Sequence, residues 1–184
     1  MTSKWSSGTR GFRLSRTVFA LAVCALPRFA SAACNTAVDG SGKSYVTQQT
    51  GCIVAEITAA GSLTKLAGKT PTTCTFAVGT AGAAGFQGPN GIALFGTMLV
   101  VSDHSHHVAS VNTADGDVQL RSGTGVAGNL DGVKGTATYN WPYGCTVDST
   151  GNVFIADRES HSVRKLDTSD YTTTVAGTGF SGNS

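Results

Sequence analysis

After residue 32 the sequence holds no apolar run of membrane-spanning length, no Asn-x-Ser/Thr sequon and no cluster of basic residues. The first absence excludes a spanning helix there, which needs about 20 consecutive apolar residues. The second excludes N-glycosylation. The third removes the electrostatic footprint by which proteins grip nucleic acid. Catalytic signatures are missing too. There is no Gly-x-Ser-x-Gly nucleophile elbow. The Gly-rich stretch "GTAGAAG" (79–85) lacks the strand-to-helix surroundings of a phosphate-cradling loop and reads as a connector. The spacings 18, 22 and 71 between Cys34, Cys52, Cys74 and Cys145 match no zinc knuckle.

Residues 1–32 differ in kind from the rest. Lys4, Arg10, Arg13 and Arg16 form a basic region, "TVFALAVCAL" (17–26) an apolar core, and Ala30-Ser31-Ala32 a small-x-small cleavage site. This is the layout of a secretory signal peptide, with an uncleaved signal anchor as the alternative. The segment carries five of the 13 basic residues and none of the 11 acidic ones, so the remainder has a net charge of 8 − 11 = −3. The expected product is secreted or surface-exposed, with no stable membrane insertion after cleavage and no nucleic-acid partner. Four cysteines then remain, an even number that favours disulfides in an oxidising compartment.

The remainder is repetitive. Sliding "VDSTGNVFIADRESHSVRKLD" (147–167) back by 109 positions aligns it without a gap on "VDGSGKSYVTQQTGCIVAEIT" (38–58). Asp103 and Asp157 are 54 apart, and Gly68, Gly123 and Gly177 recur at 55 and 54. Pro89-Asn90-Gly91 and Pro142-Tyr143-Gly144 are 53 apart. Three copies are therefore expected, at about 34–85, 86–138 and 139–184. Each holds four short strand candidates, in the third copy 145–148, 153–156, 162–167 and 172–176. Consecutive apolar residues such as Val153-Phe154-Ile155 bury both faces of a strand. Four-stranded antiparallel units with both faces covered predict an all-β chain of β-propeller blades.

At these residues the chain resembles the NHL-repeat propellers. The family pattern of Pro-x-Gly, Gly-Asn, Ala-Asp, then His-x-apolar-Arg-x-apolar is met by Pro142, Gly144, Gly151-Asn152, Ala156-Asp157, His161, Val163, Arg164 and Leu166. The second copy keeps Pro89, Gly91, Asp103, His106 and Val108, with Ala109 in place of the Arg. The first is degenerate, with Gln48 at the Asp position and Cys52 at the His position. Propellers close with about 4–8 blades. Three copies predict a partial propeller belonging to a longer protein, with apolar faces left uncovered and a tendency to aggregate.

The recurring Asp and His read as structural, the carboxylate accepting bonds from loop backbone and the His packing in the blade corner. His104, His106 and His107 are the weak alternative, a Zn²⁺ or Cu²⁺ site. No metal or other cofactor is expected. Placing the first copy on the blade pattern puts Cys34 before the first strand and Cys52 before the third, at the same end of the sheet. A Cys34–Cys52 disulfide is expected, with Cys74 as the rival partner and Cys145 free and buried. The function this implies is a secreted or surface scaffold that binds a protein or glycan through loops on one face. The resemblance also allows an extracellular propeller enzyme of the amidating-lyase type, with a central metal held largely by other blades.

Overall fold

In the computed structural model, residues 35–69 and 74–182 are described. The expected signal peptide and Cys34 lie outside them. All regular elements among the described residues are strands: β1 (Thr36–Val38), β2 (Ser44–Gln48), β3 (Ile53–Ile57), β4 (Leu63–Ala67), β5 (Pro89–Phe95), β6 (Met98–Asp103), β7 (His107–Asn112), β8 (Val118–Ser122), β9 (Gly132–Val133), β10 (Pro142–Val147), β11 (Val153–Asp157), β12 (Ser162–Leu166) and β13 (Tyr171–Gly177). They form three antiparallel sheets with orders β1-β2-β3-β4, β5-β6-β7-β8 and β10-β11-β12-β13-β9. Each is an up-and-down blade. The third gains a fifth strand because the connector after β8 folds back, pairing Val133 with Tyr171 and Gly132 with Thr172. No period-two pattern marks so short a strand. Among the described residues no helix is long and apolar enough to cross a membrane.

The repeat seen in the sequence is reproduced residue by residue. Gln48, Asp103 and Asp157 end the second strand of their sheets and pair with Ile53, His107 and Ser162. One residue earlier, Cys52, His106 and His161 all adopt positive φ, at 55°, 66° and 45°. The third strand is bulged after Val54, Val108 and Val163 alike. Gly68, Gly123 and Gly177 stand opposite these corners with φ of 110°, 99° and 90°. A Cβ there would lie 2.5 Å from the Cys52 carbonyl oxygen, 2.2 Å from that of His106 and 2.2 Å from that of His161. Only glycine permits that approach and that dihedral, which explains the periodic Gly that closes each copy.

Packing follows the same register. Tyr45 and Val54 of the first sheet pack against Leu99, Val101, Ala109 and Val111 of the second. The equivalent Val100 and Val108 of the second pack against Val153, Ile155 and Leu166 of the third. Phe86 and Tyr139, 53 residues apart, plug these two interfaces. The corresponding side of the third sheet, with Phe154, Ala156 and Val163, is open. Val163 is 38% exposed, where Val54 and Val108 are fully buried. Sandwiching between neighbouring sheets thus holds for both faces of the second sheet, for the Tyr45 face of the first and for the Val153 face of the third.

Hydroxyl groups tie the blades together. Thr47 Oγ1 donates to the carbonyl of Asn90 at 2.6 Å. Ser102 Oγ, its equivalent, donates to the carbonyl of Tyr143. The third copy has Ala156 there. Gly91 comes so near β10 that a Cβ would meet Tyr143 O at 2.5 Å, whereas Gly144 has nothing within 4 Å. The Gly of Pro-x-Gly is thus required where a following blade packs.

Candidate ligand-binding face

The second-to-third strand loops and the blade connectors meet on one face. Its frame is set by two buried carboxylates. Asp103 Oδ2 accepts the backbone N–H groups of Gln87 and Gly88, each at 3.1 Å, and Oδ1 accepts from Ser105 N and Oγ. Asp157 Oδ1 accepts Asn140 N–H at 2.7 Å, and Oδ2 takes Arg164 Nη1 at 3.1 Å. Burial raises the Asp157 carboxyl above its ordinary range, against these bonds and the Arg164 charge. Both aspartates therefore pin a connector to a turn, which is a structural task.

Arg164 is fully buried and fixes the connector at further points. It donates to the carbonyls of Thr138 and Leu130 at 2.8 Å each, pairs with Asp131 at 2.8 Å, and its guanidinium lies 5.2 Å from the Tyr139 ring centre. The second copy has Ala109 here, and nothing in its sequence marks how that connector is held instead.

The corner histidines do not share a packing role. His106 is half-buried, and its Nδ1 accepts the Trp141 backbone N–H at 3.3 Å. His161 is exposed rather than packed. What the corner requires is the left-handed backbone, which His tolerates better than most residues. His104, His106 and His107 point to different partners. His104 lies between Gln49 Nε2 (2.7 Å) and Asn90 Nδ2 (3.1 Å) and stacks on Trp141 and Tyr143, with ring centres 5.0 and 5.7 Å away. His107 stacks on Phe76 at 4.0 Å, and its Nδ1 contacts Ser105 Oγ at 2.9 Å. Burial lowers both His104 and His107 below the usual imidazole value. Among the described residues no three His, Cys, Asp or Glu side chains converge as a metal site.

The expected Cys34–Cys52 disulfide is replaced by Cys52–Cys74, with Cα atoms 5.6 Å apart. The connector after β4 returns to the corner of its own blade and delivers Cys74 within bonding range, whereas two strand spacings separate the first and third strands. The bond ties that connector to the left-handed corner of the degenerate copy. Cys145 is a free, half-buried thiol against the Val100 carbonyl, and burial pushes it up to about 12, so it stays protonated and unreactive.

Between these connectors lies a cleft of about 430 Å³ lined by Gln87, His104, Ser105, His106, Gly125 and Trp141. Trp141 is 43% exposed and has φ 57°, rare for a bulky side chain. Tyr143 extends the aromatic row, with the Arg158 guanidinium 5.8 Å from its ring centre. The sequence singled out the neighbours Pro142, Gly144 and His106 but not Trp141. The available signal was that Trp141 immediately precedes the Pro-x-Gly opener, where the second copy has Gly88.

Comparison with known proteins places these repeats. No family model matches the chain. Human NHL repeat-containing protein 2 is 34% identical over 85 residues, 46% of this chain. The chain spans only 12% of that relative's length. A Bacteroides thetaiotaomicron protein of unknown function superposes with a TM-score of 0.62 and 27% identity, covering 67% of this chain and 32% of that one. An auxiliary nutrient binding protein from Bacteroides ovatus superposes with a TM-score of 0.58 over 77% of this chain and 35% of its own, and at 20% identity it shares the fold alone.

Proposed function

We propose that this chain, whose repeats are similar to those of NHL repeat-containing protein 2, is a secreted or surface binding scaffold whose ligand, a protein or a glycan, sits on the loop face around Trp141. The observation that carries the reading is the division of labour on that face. The recurring Asp and Gly are consumed by the fold, while an exposed aromatic side chain with no counterpart in the second copy rims a polar cleft. Ligand sites are concave and combine aromatic surface with a few placed polar groups. The superposition on a nutrient binding protein supports the same reading at the level of fold. The Cys52–Cys74 disulfide and the expected leader support export.

Two libraries test it: an array of defined glycans and a displayed library of random peptides, each probed with the intact chain and with its Trp141→Ala and Val163→Lys variants. The expected result is a set of ligands lost with Trp141→Ala and retained with Val163→Lys, which changes the open sheet face. Absence of any ligand from both libraries, or ligands indifferent to Trp141, would overturn the reading. Export is tested by N-terminal sequencing of secreted material, which should begin after Ala32; a start at Met1 would contradict it.

A further inference from the structure

We infer that the cleft takes a neutral sugar ring, stacked on the free face of Trp141 and hydrogen-bonded by Gln87 and His106. This rests on the binding reading and narrows it to a ligand chemistry.

The polar groups of the cleft separate into committed and uncommitted sets. Asp103 spends both oxygens on Gln87 N, Gly88 N and Ser105. His104 has both ring nitrogens against side-chain amides. Ser105 Oγ sits between Asp103 and His107. Three groups make no hydrogen bond among the described residues: the Gln87 amide, the Trp141 indole N–H and His106 Nε2. With Nδ1 accepting from Trp141 N, His106 carries a proton on Nε2 and can donate it into the cleft. No carboxylate lines the cleft, and Arg158 stands aside over Tyr143, paired with Glu159 at 3.4 Å. An uncharged ligand that both donates and accepts fits this set.

Shape narrows the choice further. His104 covers one face of the indole, at 17° to its plane, so the exposure of Trp141 comes from its other face and edge. An apolar plane beside neutral donors and acceptors matches a sugar ring, with its C–H face and its rim of hydroxyls. A peptide docking by strand addition needs an exposed sheet edge, and this cleft is lined by loops. The volume of about 430 Å³ lies inside the small-ligand range of about 300–1,000 Å³.

The second copy builds the same opener without an indole. Trp141 lies 53 positions after Gly88 in the aligned copy, and Gly88 serves there without a side chain. Trp141 is held at φ 57° whereas Gly88 does not adopt positive φ, so the left-handed backbone here is particular to the third copy, and a bulky residue there marks a local cost retained for another reason.

The test uses the full chain carrying Trp5→Phe, in which Trp141 is the remaining tryptophan. Hexasaccharides of glucose (α- and β-linked), mannose, xylose and N-acetylglucosamine are titrated, with oligogalacturonate as the acidic probe and the binders of the random-peptide library as the protein probe. Saturable change of Trp141 emission by a neutral sugar is expected. By calorimetry, Trp141→Gly should weaken that sugar about tenfold or more and Trp141→Phe by less than about threefold; Gln87→Ala should weaken it about threefold to tenfold. Binding of peptides but no sugar, lost in Trp141→Gly, would overturn the sugar assignment while leaving the scaffold reading intact. Preference for oligogalacturonate would overturn neutrality, and sugar binding unaffected by Trp141→Gly would overturn the site. No Trp141-dependent ligand of either kind would overturn both.

Discussion

Single residues in this chain hold neighbouring elements together more often than they offer chemistry. Arg164 is the strongest case, because one guanidinium meets two carboxylates and two carbonyls while fully buried. Removing one partner of a buried pair leaves the other charge uncompensated, at a cost of about 3–5 kcal/mol. Arg164→Ala should lower unfolding free energy by that order in urea titrations, and a loss below about 1 kcal/mol would show that Arg164 is not the connector's anchor. His104 and His107 give a pH test. Both are held below the ordinary imidazole value by burial, so the unfolded chain binds protons more readily than the folded one. Their contribution to stability is complete above about pH 6.5 and declines as pH falls from there towards the lowered folded values. Melting temperature should therefore drop between pH 7 and 5, less so in a His104→Gln, His107→Gln variant. An equal drop in both proteins would place the effect elsewhere. At this scale the sequence exposed Asp103, Asp157 and the three closing glycines because they recur. It hid Trp141 and left Cys74 as the rival partner, because both lie in connectors whose lengths and contacts are not repeated.

Connectors decide what the elements alone do not. Strand positions followed from the repeat, and the third sheet has Pro142–Val147, Val153–Asp157, Ser162–Leu166 and Tyr171–Gly177 where 145–148, 153–156, 162–167 and 172–176 were expected. The connector from β8 to β10 instead contributes β9, and the one from β4 to β5 carries Cys74 back to the β2–β3 corner. The corner geometry itself is testable. Gly123→Ala forces a Cβ to 2.2 Å from His106 O at φ 99°, so a loss of about 2 kcal/mol or more is expected in denaturant titrations. A neutral Gly123→Ala would show that the corner relaxes freely. For the disulfide, Cys74→Ser opens a link across 22 residues, worth about 3 kcal/mol in the chain-entropy account. Non-reducing peptide mapping should recover the Cys52–Cys74 peptide, and a Cys34–Cys52 peptide would contradict the structure.

Across the whole molecule, two faces of the third sheet have opposite fates. Val153, Ile155 and Leu166 are buried against the second sheet, while Phe154, Ala156 and Val163 form the open side. Its place in the repeat is that of a blade-facing surface, so apolar self-association is expected there. Val163→Lys should reduce light scattering at micromolar concentration without lowering the melting temperature. The propeller architecture was readable from period and strand pattern because each blade repeats the same hydrogen-bonded frame. The binding cleft was not readable, because it arises where unlike connectors meet. The central claim is that this cleft is an addition to the frame, and the melting temperature of Trp141→Gly tests it most directly. Glycine suits φ 57°, so relief of backbone strain should offset the lost stacking on His104. The account predicts a melting temperature within about 3 °C of the parent, and a fall of about 8 °C or more would mean that Trp141 belongs to the core and the cleft is a by-product of packing.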